Sequence, residues 1–280
     1  TGAGAKSVFA LDVTSTVSFN TSNILWEFDD DADLGFTISK SAIVRLSNGK
    51  WVALVPNGYG SSNGHSVLFI LDLADGSIIS KIDTGVGSDN GLGSVAPVDV
   101  NGDKITDYVY AGDLHGNMWR FDLRSSNYSD WSASRLFMAC DGTTCTSENI
   151  QPITARPEIK ASPNGGLMVL FGTGSYFSIE DNTLASIPRI EAVYGVRDDL
   201  TNKTTSLNLT RSSLVKQDIL AEINPSMSNA LTSAIRVISN NTEEGNISGW
   251  YLPLVYPSTA NGMGERVVSD MIINSGRLLV

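Results

Sequence analysis

The sequence predicts an all-β protein organised as part of a β-propeller, and three observations carry that reading. Alternating apolar residues dominate and are punctuated by Gly, Asn and Asp, which is how strands joined by turns look. An apolar-aromatic run ending in Asp recurs as Val8-Phe9-Ala10-Leu11-Asp12, Leu68-Phe69-Ile70-Leu71-Asp72 and Met118-Trp119-Arg120-Phe121-Asp122, with a weaker copy from Val193 to Asp198. These Asp residues lie 60, 50 and 76 positions apart. A period of tens of residues with about four strands in each is the pattern of propeller blades. A blade takes roughly 40–50 residues, so the longer steps imply loop insertions.

The strands can be counted within each period. Ala42 to Leu46 turns at Asn48-Gly49 into Trp51 to Val55. A Gly/Ser loop then leads to Val67 to Asp72, which turns at Asp75-Gly76 into Ile78 to Ile82. Asn-Gly and Asp-Gly between apolar runs are strong hairpin signals. The next period holds Ala96 to Val100, Asp107 to Ala111, Asn117 to Leu123 and Arg135 to Ala139. A third opens with Arg156 to Ala161 and Leu167 to Phe171, and strands resume at Trp250 to Leu254 and Arg266 to Ile273. Between them, residues 199–248 are rich in Asn, Ser and Thr and read as an insertion on the propeller rim. Leu214, Val215, Asp218, Ile219, Glu222 and Ile223 fit a short amphipathic helix there, capped by Ser212 or Ser213. Ala230 to Val237 reads as a second helix or a strand. The count is about three full blades plus partial ones. Such a set cannot close a ring, so its sheet edges need a partner or more chain.

Composition narrows the function. The 280 residues carry 30 Asp+Glu against 19 Lys+Arg, a net charge of −11. That balance argues against nucleic acid and anionic lipid, both of which need a basic face. An apolar fraction of 41% excludes a disordered chain. No run approaches the ~20 apolar residues of a membrane helix. No basic segment followed by an apolar one marks a signal peptide, and the chain reads as an excerpt of a longer protein. Cys140 and Cys145 bracket Asp141-Gly142-Thr143-Thr144, a turn-prone stretch that suits a small-loop disulfide in an exported protein. Two free thiols are the alternative, and a zinc site lacks nearby ligands. His65 and His115, the only histidines, read as solvated turn residues.

The strongest chemical signal is Asp99-Val100-Asn101-Gly102-Asp103-Lys104-Ile105-Thr106-Asp107. Oxygen side chains fall at loop positions 1, 3, 5 and 9, and Ile105 at position 7 offers its carbonyl. Calcium takes oxygen ligands at such alternating positions, because one curled backbone can then point successive donors inward. Position 6 is Lys104 where an EF-hand has Gly, position 12 is Tyr110 where it has Glu, and the flanks are strands. The reading is an EF-hand-like calcium loop on a β-hairpin, with Asp99, Asn101, Asp103, Ile105 and Asp107 as ligands. A metal-free polar turn is the alternative. Asp29-Asp30-Asp31-Ala32-Asp33 is a second acidic run. Its consecutive side chains diverge on an extended strand, so it reads as a solvated loop.

These residues resemble the C-terminal domain of the PilY/PilC family of type IV pilus tip-associated adhesins and assembly factors. The likeness is densest over Asn90-Gly91-Leu92, Asp99 to Asp107 and Tyr108 to Leu123. It continues through Gln151-Pro152-Ile153-Thr154, Gly172 to Phe177, Ser248 to Leu252 and Gly264 to Asp270. The resemblance implies a quinoprotein-like, modified seven-bladed propeller, of which this chain is a partial C-terminal portion spanning residues 1–280. It implies calcium at the five loop positions, with occupancy linked to pilus extension against retraction. It implies export to the pilus tip, cell surface or outer membrane. The partners it implies are minor pilins, a host-cell or abiotic surface, and the rest of the parent polypeptide.

Other functions fit less well. A quinone-cofactor dehydrogenase on the same fold needs a pocket at the ring centre with acidic calcium ligands and a base. Here the calcium loop is one contiguous hairpin, and Ser80 stands where the quinoprotein docking tryptophan belongs after Asp72-Leu73-Ala74-Asp75-Gly76. An integrin-like scaffold would carry several calcium loops rather than one. Gly60-Ser61-Ser62-Asn63-Gly64 matches a hydrolase elbow by spacing, yet it precedes a strand where the elbow needs a helix. The chain is therefore expected to be a binding module and not an enzyme. Six Asn-x-Ser/Thr sequons, at Asn20, Asn127, Asn202, Asn208, Asn240 and Asn246, reflect polar loops.

Overall fold

A computed structural model of the chain describes residues 2–15, 17–177, 179–183, 188–201, 207–225, 235–242, 248–255 and 262–280. The chain forms two compact units, Thr1–Leu136 with Asn202–Leu207, and Phe137–Thr201 with Asn208–Val280. The expected fold class holds, since strands dominate and the helical turns among the described residues are short 3-10 pieces.

The first unit opens with an antiparallel hairpin of β1 (Val8–Leu11) and β2 (Ile24–Phe28). A four-stranded meander follows: β3 (Ala42–Arg45), β4 (Trp51–Pro56), β5 (His65–Asp72) and β6 (Ile78–Gly87), paired in sequence order. A second meander comprises β7 (Ala96–Val98), β8 (Tyr108–Gly112), β9 (Asn117–Asp122) and β10 (Ser132–Met138). One face of the first meander gives Leu54, Leu68 and Ile70 to a core shared with Val109, Trp119 and Phe121 of the second. Its opposite face gives Ala53, Val55, Val67, Phe69 and Leu71 to a second core, closed by Trp26, Val8, Ala10 and Phe28 of the hairpin. Burial on both faces explains why Val52-Ala53-Leu54-Val55 and Val67 to Leu71 are continuous apolar runs. A sheet covered on one side alternates; one covered on both cannot spare a polar face.

The second unit carries a five-stranded sheet. It contains β11 (Glu158–Ala161), β12 (Leu167–Gly172), β13 (Ala192–Asp198), β14 (Val215–Lys216) and β17 (Gly249–Pro253), in the order β11-β12-β13-β17-β14. Strand β14 runs parallel to β17, and the other pairs are antiparallel. The strands β15 (Ile219–Ile223) and β16 (Ile235–Ile238) form a separate hairpin, as do β18 (Ile272–Asn274) and β19 (Arg277–Leu279). The core of this unit stacks aromatics: the Phe171 and Tyr194 rings lie 5.1 Å apart, and Phe137 lies 5.1 Å from Tyr194.

The recurring Asp has a structural cause. Asp12, Asp72, Asp122 and Asp198 each accept, on Oδ1, the backbone N–H two residues on, from Thr14, Ala74, Arg124 and Leu200. Each is a side-chain-closed turn at the end of an apolar strand. The repeat therefore marks where a strand stops.

Two expectations fail, and a third, the helix or strand over Ala230 to Val237, is met as strand over its described residues. The helix expected over Leu214 to Ile223 is a 3-10 turn at Arg211–Ser213 followed by β14 and β15. Ile219 to Ile223 finds a strand partner in Ile235 to Ile238, and that pairing overrides the helical spacing. Of Ala230 to Val237, Ile235 onward is strand and the earlier residues lie outside those described. Arg266 to Ile273 forms no continuous strand; Val267 reaches Thr173 through one backbone bond before β18 begins. The sequons at Asn202 and Asn246 also lie outside the described residues.

Candidate metal loop and the buried polar cluster behind it

Residues 99–107 connect β7 to β8, and the strands on either side fix the ends of the loop. Asp107 N–H donates to Val98 O (2.9 Å), and Leu123 N–H donates to Asp107 O (2.9 Å). Thr106 N–H reaches Arg45 O in the first meander (2.9 Å). The expected side-chain ligands then curl the backbone. Asp99 Oδ1 accepts from Asn101 N–H (3.2 Å) and Gly102 N–H (2.7 Å), and its Oδ2 accepts from Lys104 N–H (2.7 Å). Asn101 Oδ1 accepts from Asp103 N–H (2.9 Å), and Asp103 Oδ1 from Ile105 N–H (2.8 Å). Asp107 Oδ2 accepts from Val100 N–H at the far side of the loop (2.8 Å). Gly102 and Lys104 take positive φ, +82° and +66°. Position 6 thus has the left-handed backbone for which glycine is suited, carried here by a lysine.

Electrostatics follow the same bonds. Desolvation pushes the Asp99 carboxyl upward, but the N–H groups of Lys104, Gly102, Asn101 and Asp103 outweigh it and hold it below its ordinary value. The hydrogen bonds above use Oδ1 of Asp103 and Oδ2 of Asp107, so each carboxylate keeps a second oxygen. Among the described residues no three His, Cys, Asp or Glu side chains gather into a metal-holding cluster. Asp99, Asp103 and Asp107 are strung along one curled backbone without meeting at a point. The donors are all oxygen and sit on a bent loop, so the donor chemistry fits a hard cation.

Directly after this loop lies a buried polar cluster that the residue-level reading did not identify. Asp113 is fully buried and its carboxylate accepts from Asn90 Nδ2 (3.0 Å), Asn117 N–H (2.8 Å), Asn117 Nδ2 (2.9 Å) and Trp119 Nε1 (2.8 Å). Burial drives its carboxyl upward against the pull of these donors. Asn90 Oδ1 in turn accepts from Leu114 and His115 N–H. Asn57 does similar work, accepting from Val67 and Leu92 N–H and donating to Asp33 O and His65 O. At Gly91 a side chain would meet Gly58 O at 2.0 Å, so Asn57-Gly58 and Asn90-Gly91 abut backbone to backbone. The motifs Asn57-Gly58-Tyr59, Asn90-Gly91-Leu92 and Asp113 to Trp119 are thus one structural device that staples loops to strands.

Other sequence candidates resolve differently. Asp33 is buried, not solvated: it accepts from Lys81 Nζ (2.8 Å) and Asn63 Nδ2 (2.7 Å), while Asp31 shares the same ammonium (3.3 Å). His65 begins β5 and pairs with Asp83 (2.9 Å), which raises its pKa. The structure joins Cys140 to Cys145 as a disulfide.

The family model described as the PilY1 beta-propeller domain matches residues 1–231. The chain belongs to the PilY1 β-propeller family. A "Type IV pilus biogenesis factor PilY1 homolog" of Xylella fastidiosa is 36% identical over 99% of this chain and 19% of its own length. "Type IV pilus biogenesis factor PilY1" of Pseudomonas aeruginosa strain UCBPP-PA14 is 34% identical over the whole chain and 27% of its own length. The crystal structure of the Pseudomonas aeruginosa PilY1 C-terminal domain superposes with a TM-score of 0.82 at 34% identity, covering 96% of this chain and 60% of that one. The chain therefore spans about a fifth to a quarter of the curated PilY1 relatives. Among the described residues no helix is long and apolar enough to cross a membrane.

Proposed function

We propose that this chain is propeller material of a type IV pilus biogenesis factor, exported to the pilus tip, and that calcium in the Asp99–Asp107 loop biases pilus extension against retraction and surface attachment. Family membership supports the pilus role. The observation that carries the calcium reading is the loop's self-templating: Asp99, Asn101, Asp103 and Asp107 each accept a backbone N–H that bends the chain between them. Bound calcium supplies two positive charges against three carboxylates. Asp99 holds the turn, Asp103 and Asp107 bring their second oxygens, and Ile105 offers its carbonyl. Without a cation, three nearby carboxylates repel and the hairpin tip loosens. Minor pilins at the tip, a host-cell or abiotic surface, and the rest of the parent polypeptide are the partners this reading assigns.

The test uses the parent protein in a piliated bacterium. Asp107→Ala removes a ligand, and Asp107→Lys places a positive charge where the cation sits. The two variants should fold alike by circular dichroism and give opposite piliation states. Identical piliation in both would contradict the switch.

A further inference from the structure

In the second unit a ring of hydrogen bonds closes on itself inside the protein. Asp141 Oδ1 accepts from Arg211 Nη1 (3.1 Å), and Arg211 Nε donates to Tyr194 Oη (2.8 Å). Tyr194 Oη–H donates to Gln151 Oε1, and Gln151 Nε2 donates to Ile190 O (2.6 Å). Ile190 N–H returns to Asp141 Oδ2 (3.1 Å). The Arg211 side chain is only 6% exposed, and its guanidinium lies 5.7 Å and 4.9 Å from the Tyr194 and Tyr251 ring centres. A buried guanidinium is tolerated when its charge is compensated and becomes costly when the partner leaves. Asp141 is its carboxylate partner, and Asp141 sits inside the six-residue loop closed by Cys140–Cys145. Cys140 is fully buried, whereas Thr143 and Thr144 face solvent. The loop is therefore anchored at one end and open at the other. Asn149, just outside the loop, holds it by hydrogen bonds: Asp141 N–H donates to Asn149 O (2.7 Å), and Asn149 Nδ2 donates to Asp141 O (3.3 Å) and Thr144 O (2.9 Å). The disulfide is the covalent restraint that acts beside these bonds on where Asp141 points.

We propose that the Cys140–Cys145 disulfide is a redox-sensitive latch that holds Asp141 against the buried Arg211, so that its reduction loosens the aromatic core of the second unit. The reductant is a dithiol. One thiolate attacks Cys145 Sγ, the S–S bond breaks, and Cys140 leaves as a thiolate that takes a proton. The second thiol of the donor resolves the mixed disulfide and frees Cys145. Two electrons and two protons pass to the cysteine pair, and the donor becomes a disulfide. Closing a six-residue loop alone shifts an unfolding constant on the order of tens-fold by chain entropy. The latch adds coupling between the disulfide and the charge pair.

The test compares the full chain, oxidised and reduced with dithiothreitol, by urea unfolding in wild type, Asp141→Ala and Arg211→Met. Reduction should raise the unfolding constant at least about tenfold more in wild type than in either variant, because contacting groups couple and the variants have no pair to hold. Equal ratios in all three would mean that the disulfide acts through loop entropy only, and would overturn the proposal. Should Asp141→Ala not fold, Arg211→Met carries the comparison, since the charge it leaves, on Asp141, is partly exposed and keeps the Ile190 N–H. A native-state readout stands apart from unfolding: amide exchange at Ile190, whose N–H is held by Asp141, should accelerate on reduction. Unchanged exchange there would also overturn the latch.

Discussion

Lys104 holds φ at +66° at the centre of the candidate metal loop, with its side chain exposed. A non-glycine residue pays about 1–2 kcal/mol for that backbone, while glycine loses about 0.4–1 kcal/mol through a freer unfolded chain. Lys104→Gly should therefore stabilise the first unit by about 0.5–1 kcal/mol, read as a higher urea midpoint; a lower midpoint would show that the lysine side chain matters more than its backbone. Asp99 gives a second test at this scale. Its folded pKa is depressed, so its contribution to loop order is present above the ordinary 3.8 and is lost as pH falls through the lower folded value. The amide shifts of Gly102 and Lys104, both bonded to Asp99, should titrate with a midpoint below 3.8. A midpoint at or above that value would mean that the turn is not held by Asp99. The ligand spacing was legible because each position carries its own chemistry. Asp33, Asn90 and Asp113 were not, since a polar residue in a turn looks solvated until its buried partners, up to tens of residues away, are known.

At the scale of the element, double-sided burial governs the first meander. Phe69 is fully buried, meets Phe28 edge-on at 5.1 Å and has Lys81 Nζ 5.8 Å from its ring. Phe69→Ala should cost about 3–5 kcal/mol, measured by urea denaturation, since the cavity would open between sheet and hairpin with little room to collapse. A loss below about 1 kcal/mol would show that the β1–β2 hairpin does not cover this face. The hairpin turns at Asn48-Gly49 and Asp75-Gly76 and the strands they join were readable, because both glycines take positive φ between apolar runs. The Leu214 to Ile223 segment was not: its spacing suits a helix, and only the distant Ile235 to Ile238 strand makes Ile219 to Ile223 one arm of a hairpin. The parallel pairing of Val215–Lys216 with β17 has no local signal either, as it is set by what lies across the sheet.

Over the whole molecule, the two four-stranded meanders and the five-stranded sheet are blade-like layers that each need covering, and the family match explains why one chain carries several. The net charge of −11 leaves the loop's carboxylates in a field that attracts cations. If the loop binds calcium only when folded, the ion stabilises the chain by mass action, about 2.7 kcal/mol at a hundred times the dissociation constant. The most direct measurement is calorimetric titration of calcium into the chelator-treated chain, alongside Asp107→Ala. The account predicts one saturable site in the wild type and at least about a hundredfold weaker binding in the variant, with the far-ultraviolet spectrum unchanged. Equal affinity in both, or no binding heat in the wild type at millimolar calcium, would contradict it.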